Sequence, residues 1–361
     1  MVELFPLDTQ QHSSLLFPIE IIQFAEVAMN LTTRVVLSVI AAALAFTVLA
    51  YCGAGLFAAE VPSLRVVYNA LGGSMAPIWV SQELGLFAKH GLQHNLNYLA
   101  ATTAVQAMAA GSEEIGLVGN QGIDMALEGA DTVYVANTVP RFIFRLYGDP
   151  SIQNVGDLKG KVVAATQPAA STDYATRMVL RRFNLVPDKD VKILYAGSMP
   201  ALVTMLKSGN AQAGLISAPT TLQAQEMGLK QILNVTDLNI PFIFVGVATT
   251  RKVIQQKPDA IVRFLRAYTE SIAIIKRDKE TAFKAMGKFL KTDNRQTLEG
   301  IYEEYAGAFQ RVPFMTKEEV RAVLEVVKSP KAQQVKPEDF YDNSFLQKLE
   351  VSDFINALYA R

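Results

Sequence analysis

From residue 62 onward, hydrophobic positions fall into short apolar runs separated by glycine- and proline-bearing turns and by stretches of helical spacing. Runs at 64–69, 96–99, 115–118, 132–135, 142–147, 162–165, 191–195, 213–216, 231–235 and 242–248 have the length and composition of buried strands. Between them, apolar residues recurring at helical intervals predict helices over 78–89, 104–110, 124–128, 173–183, 201–208 and 221–227. Strand and helix alternating in this way build βα units and mostly parallel sheets. From residue 251 the rhythm changes. Segments 258–276, 279–290, 295–309, 317–328 and 344–349 read as successive amphipathic helices with no strand among them. The predicted fold class is therefore α/β with a helical C-terminal tail.

Two breaks divide the sheet-forming region. The sequence GDPSIQNVGDLKG at 148–160 carries one proline and three glycines, and a second turn-rich break lies at 239–241. If the block between them is an insertion, one α/β lobe comprises 60–147 plus 241–361 and the other 148–240. The chain then crosses between lobes twice. Two crossings make a hinge, and a hinge between two α/β lobes makes a cleft that closes on a ligand.

Residues 1–59 have the character of a leader. The run from Val35 to Ala50 has no charge, follows Arg34, and precedes the small residues Cys52, Gly53 and Ala54, the three-part layout of a secretory signal peptide. It is short for a membrane span, although an apolar stretch extended through Phe57 makes a retained anchor the alternative. Residues 1–28 are long and acidic for such a segment, so translation is expected to begin at Met29. Cys52, the single cysteine, stands where a lipoprotein signal would carry its lipid, while Ala54 suits ordinary cleavage. The expectation is an exported, periplasmic protein, free or anchored as a lipoprotein, with no disulfide in its mature part.

Charge adds mainly exclusions. Lys plus Arg and Asp plus Glu number 34 each, and residues 60–361 hold 33 basic and 30 acidic groups. No basic footprint for nucleic acid or for an anionic membrane surface is present. A membrane contact is expected only through the leader or its lipid.

In open α/β sheets a ligand lies beyond the carboxyl ends of the strands. The first such loop carries Gly73, Ser74 and Met75 ahead of Pro77, with Trp79 one turn further on. The third strand runs into Gly119, Asn120 and Gln121, and the strand at 162–165 leads to Ser171 and Thr172, read as N-caps of a helix beginning at Asp173. The strand at 213–216 leads to Ser217. Gly73 and Gly119 would give backbone access, and Ser74, Asn120, Ser171, Thr172 and Ser217 polar contacts. Ser, Thr, Asn and Gly also suit a helix start with no ligand. Trp79 would wall the cleft or pack under it. Arg141, in the segment PRFIFRLYG with Arg145, would pair with a carboxylate, sulfonate or phosphate or simply be solvated.

Enzyme motifs fail on inspection. Residues 72–76 (GGSMA) sit like a nucleophile elbow but end in alanine, and no late histidine follows as base. His90 and His94 flank Gly91, have no carboxylate close by in sequence, and read as solvated. Residues 156–161 (GDLKGK) are one residue short of a P-loop and precede a strand. No catalytic residue, metal or cofactor is expected.

The strings PIW at 77–79, GLFAKHGL at 85–92, VGDLKGKV at 155–162, KPD at 257–259, KPEDFYD at 336–342 and VSDFI at 351–355, in this order and spacing, resemble the nitrate/sulfonate/taurine-type solute-binding proteins, which share a domain with the thiamine-pyrimidine (THI5- and NMT1-like) proteins. The resemblance implies a type II periplasmic binding fold and a monomer holding a small polar or anionic molecule between two lobes. It further implies an ABC permease and ATPase as partners. Two alternatives are an enzyme of the pyrimidine or menaquinone branches and a sensory protein without transport.

Overall fold

The computed structural model describes residues 35–44 and 61–360. Residues 35–44 are helical, and among the described residues no helix is long and apolar enough to cross a membrane. Most of the predicted leader, including Met29, Cys52 and the cleavage positions, lies outside the described residues.

The body from Val61 onward opens with β1 (Ser63–Tyr68), α1 (Ala76–Glu83), α2 (Leu86–Lys89), β2 (Gln93–Tyr98), α3 (Ala101–Ala109), β3 (Ile115–Val118), α4 (Gln121–Leu127) and β4 (Thr132–Arg141). The single helix expected at 78–89 is two, because Gly85 takes φ +63° and turns the chain. The middle holds β5 (Arg145–Gly148), β6 (Val162–Ala165), α5 (Ser171–Arg182), β7 (Lys192–Tyr195), α6 (Met199–Lys207), β8 (Ala213–Ile216), α7 (Thr220–Glu226) and β9 (Lys230–Asn234). After β10 (Pro241–Thr250) come α8 (Arg251–Gln256), α9 (Pro258–Arg277), α10 (Lys279–Leu290), α11 (Arg295–Tyr305), α12 (Lys317–Leu324), α13 (Ser344–Val351) and α14 (Phe354–Tyr359).

Two five-stranded sheets result, ordered β2-β1-β3-β10-β4 and β7-β6-β8-β5-β9. The sheets are mixed where mostly parallel ones were expected. β1 is parallel to β2 and β3, and β6 to β7 and β8, whereas β10 and β5 run antiparallel to both of their neighbours. The reason is topological. β4 and β9 leave their sheets at the same end as the parallel strands do, so β5 and β10, which receive the chain after each crossing, enter from that end and must run the opposite way. The predicted block edge at 147/148 shifts accordingly. Arg145 pairs with Ile216 and Asn234 of the second sheet, so the first crossing is Phe142-Ile143-Phe144. These three side chains are all buried, and their apolar run conceals the change of sheet.

The first body is the larger because the tail packs onto it. In α9, Ile261, Phe264, Leu265, Tyr268, Ile272 and Ile275 form one buried stripe, and Ser81 on α1 donates to Ala267 O at 3.3 Å. The tail also covers the edge strand β4. Asn137 N–H donates to Pro313 O at 2.8 Å, Gln310 N–H to Thr138 O at 3.0 Å, and Asp342 N–H to Tyr134 O at 2.8 Å. A sheet edge that would otherwise template pairing with another chain is thus closed. Asn137 fixes the arrangement from within, donating through Nδ2 to Glu319 Oε2 at 2.8 Å, with both residues buried. Replacing Asn137 by alanine leaves the buried Glu319 carboxylate with only its Thr316 N–H partner and is expected to cost about 1–3 kcal/mol. Urea unfolding of the Asn137→Ala protein checks this; an unchanged midpoint would show that the Asn137 side chain does not contribute to holding the tail.

Candidate functional site

The carboxyl ends of the parallel strands of both sheets face one gap, which two groups of loop residues bridge. In the first, the loop after β3 meets the loop after β6. Asn120, wholly buried, donates through Nδ2 to Asp124 Oδ2 at 3.2 Å and, across the gap, to Ala169 O at 3.4 Å. Tyr174 OH of α5 donates across the gap to Asp124 Oδ1 at 3.4 Å, and Thr102 Oγ1 to Gln167 Oε1 at 3.3 Å. Gly119 permits this approach, since a Cβ there would stand 2.9 Å from Ser171 Oγ and 3.2 Å from Ile243 O. Tyr134 supports the loop from below, donating to Gly119 O and accepting from Gly122 N–H at 3.0 Å. Burial pushes the Asp124 carboxyl up to about 6, against the opposing pull of its hydrogen bonds from Asn120 and Tyr174.

In the second group, the loop after β1 meets the loop after β8 and the end of α11. Gly73 N–H donates to Ala218 O at 3.5 Å, and Ala218 N–H to Glu304 Oε1 at 3.0 Å. Ala218-Pro219 is a cis peptide. Glu304 Oε2 lies 3.4 Å from Arg145 Nη1, and the glutamate side chain is 4% exposed. Tyr305 is hydrogen-bonded to Ser217 and Glu304 through its side chain. Desolvation is the main reason that the Glu304 carboxyl rises to about 7; the Ala218 N–H and the Arg145 guanidinium pull it down.

Several of the predicted contacts therefore meet here. Gly119, Asn120 and Ser171 stand together in the first group, and Gly73 and Ser217 in the second. The space left by Gly73 is taken by Ile301 and Tyr305 of α11, into which a Cβ would run, so this glycine serves helix packing instead of the backbone access expected of it. Ser74 and Met75 are buried in the short turn 73–75. Gln121 begins α4, and its Oε1 is buried with no hydrogen-bond partner, as are Asn120 Oδ1 and Glu304 Oε2. Trp79 lies in the core, 0% exposed and stacked on Phe289 at 5.3 Å. Arg141 ends β4 opposite Pro241 at the hinge, with its Nε buried and without a hydrogen-bond partner.

The capping expectation at α5 is overturned. The helix begins at Ser171, and its N-cap is Ala170, which makes no side-chain cap. Thr172 Oγ1 accepts from Thr166 N–H at 2.9 Å and lies 2.7 Å from Thr166 Oγ1, so its hydroxyl holds the loop. Asp173 reaches back to accept from Ala169 N–H at 3.0 Å and is further held by Arg177 and Tyr195. Ala169 pays for this geometry with φ +58°. The two histidines also have partners within the protein. His90 Nε2 lies 2.7 Å from Glu270 Oε2, and His94 is hydrogen-bonded to Gln82.

Sequence reasoning missed Glu304, Tyr305, Asp124 and Tyr174, and named Arg145 beside Arg141 but carried only Arg141 into the candidate site. For Glu304 a signal existed. Leu298, Ile301 and Tyr305 mark the buried stripe of α11, and a carboxylate three residues after Ile301 falls on that stripe. Among the described residues no group of three or more His, Cys, Asp or Glu side chains is gathered to hold a metal ion.

Comparison with known proteins agrees with this architecture. A protein of Brachyspira hyodysenteriae named as an ABC transporter periplasmic binding protein is 24% identical over 267 residues, covering 72% of this chain and 69% of its own. Among solved structures, the alkanesulfonate-binding protein of Xanthomonas axonopodis pv. citri, bound to MOPS, superposes with TM-score 0.64 at 18% identity, covering 78% of this chain and 97% of its own. The periplasmic nitrate-binding protein of Synechocystis PCC 6803 superposes with TM-score 0.65 at 13% identity, covering 83% and 91%. The generic periplasmic binding fold is thus the fold of this chain. The NMT1/THI5-like family model matches residues 73–282, and the chain belongs to that family.

Proposed function

We propose that this chain is the solute-binding component of an ABC importer, exported to the periplasm, and that it captures a small polar molecule between two lobes, 61–141 with 241–360 and 145–234. One observation carries the reading: strand-end loops of both sheets converge on a single gap spanned by two crossings of the chain. That geometry makes the relative position of the lobes depend on what fills the gap, and a ligand touching both stabilises the closed form. The relative named as an ABC transporter periplasmic binding protein supports the reading, as does the exposed apolar helix at 35–44, which suits an export leader. A permease and its ATPase are the partners that a closed, loaded form would engage. The chain acts by binding, without catalytic turnover.

Two outcomes test this. Calorimetry against a panel of small sulfonates, nitrate, carboxylates, amines and pyrimidines should find a ligand that also lowers the radius of gyration in X-ray scattering. Removing both Asn120 and Ser171 side chains to alanine should weaken that ligand at least about tenfold. A ligand that binds equally well to the double variant would move the site elsewhere.

Folding stability should also respond to pH. Asp124 and Glu304 both have folded pKa values above their ordinary range. Their contribution is fully present below about pH 4 and is lost as pH rises through about 6 and about 7 respectively. The groups facing them are Asn120, Tyr174 and Glu128 for Asp124, and Arg145 and Tyr305 for Glu304. The melting temperature of the ligand-free protein should therefore fall across this window, beyond whatever the other carboxylates contribute. The combined Asp124→Asn, Glu304→Gln protein should show a flatter profile.

A further inference from the structure

Asn120 stands at the N-cap position of α4 and does not cap it. An asparagine there ordinarily has an extended backbone and accepts, through Oδ1, the N–H of the second or third helical residue. Here its backbone is helical, at φ −56° and ψ −18°, and its side chain makes no cap. Oδ1 is buried with no hydrogen-bond partner, on a residue that is 0% exposed. Nδ2 donates to Asp124 Oδ2 and, across the gap, to Ala169 O. The best capping side chain of the loop is thus turned to the facing body.

The amide that Asn120 leaves is taken by another strand. Gly122 N–H, on the second residue of α4, donates to Tyr134 OH at 3.0 Å, and the same hydroxyl donates to Gly119 O. One phenol closes the loop 119–122 from both ends and supplies the acceptor that a capping side chain would supply. Burial pushes its pKa above the ordinary tyrosine range, so the hydroxyl keeps the proton it donates. The next amide, Ile123 N–H, goes to Asn120 O at 2.8 Å.

The fold makes room for Tyr134 and fixes it. The residue is 1% exposed, and a Cβ at Gly122 or at Gly246 would run into its hydroxyl or its ring. Its backbone is held on both sides: Ala248 of β10 is its ladder partner, and Asp342 N–H donates to its carbonyl at 2.8 Å beside a bridge to Tyr341. The tail that covers the edge of β4 therefore also fixes the strand residue that holds a gap loop.

We infer that Tyr134 is a positioning residue for the gap: its hydroxyl caps α4 in place of Asn120, and so leaves the Asn120 side chain to the facing body and to a solute. The part played by a solute rests on the solute-binding reading; the capping does not. Without the hydroxyl, the Gly122 N–H lacks its acceptor, and the asparagine at the N-cap position is the group suited to replace it.

Nuclear magnetic resonance of the solute-free full chain, isotopically labelled at glycine and asparagine nitrogen, tests this. In the Asn120→Ala protein the Gly122 amide should exchange with deuterium within about twofold of the wild-type rate, because its bond goes to Tyr134. In Tyr134→Phe, whose ring still fills the space, the Asn120 side-chain amide signals should move as Oδ1 turns back to Gly122 N–H. Adding Asn120→Ala to that variant should then speed Gly122 exchange at least about fivefold, a dependence absent from the wild-type background. Asn120→Ala alone speeding Gly122 exchange as much would overturn the inference, since Asn120 would then be the cap. Tyr134→Phe with the Asn120 signals unmoved would overturn it too, and make Tyr134 a support of the core only. Should Tyr134→Phe fail to fold, the Asn120→Ala comparison still decides whether Asn120 is the cap. No solute enters these measurements, so failure on either count leaves the solute-binding reading standing.

Discussion

The direction in which a crossing strand must run governs this molecule. Each sheet sends its parallel strands toward a common gap, and each gives the chain away at that gap, through β4 and β9. The receiving strands β5 and β10 are thereby forced antiparallel, and each is inserted between two strands of its new sheet. Insertion fixes both bodies internally through ladders on both sides. What remains adjustable is the short backbone between strands, 142–144 on one crossing and 235–240 on the other. On the proposed solute-binding reading these crossings are the hinge, and the loops at the gap are where a closing motion would be felt.

Those loops carry polar groups whose burial is incompletely repaid. Asp124 and Glu304 are carboxylates drawn out of water, and the fold responds by raising their pKa values instead of pairing them fully. Arg145 offsets Glu304 from 3.4 Å while itself a third exposed, so its charge is shared with solvent. That contact links the two sheets' bodies across the gap. Stronger pairing would favour closure with nothing bound, and a ligand stabilises one state over another only through differential interaction.

Most of the strand inventory was legible because buried strands must be apolar and their turns must contain glycine or proline. The error at 142–147 has the same origin. Phe142, Ile143 and Phe144 are buried at the crossing itself, so hydrophobicity runs unbroken through a point where the chain changes sheets. The site was legible as loops but not as partners. Gly119, Asn120, Ser171 and Ser217 are found at strand ends by position alone, whereas the pairing of Glu304 with Arg145, or of Glu270 with His90 from 180 residues away, depends on the tertiary arrangement. Trp79 shows the limit of position as a guide. It lies one turn beyond a strand-end loop, yet it stacks on Phe289 in the core, because the helix that carries it must bury one face.

The helix N-terminus at α5 is the element whose meaning changes most between sequence and structure. Free amides at such a terminus attract anions, and a serine-threonine pair ahead of it reads as their frame. Here Asp173, on the helix's own first turn, reaches back to Ala169 N–H and is braced by Arg177 and Tyr195. The left-handed backbone at Ala169 turns its carbonyl to meet Asn120 across the gap. The Asp173 carboxylate thus braces the loop ahead of the helix, and that loop turns a carbonyl toward the facing body.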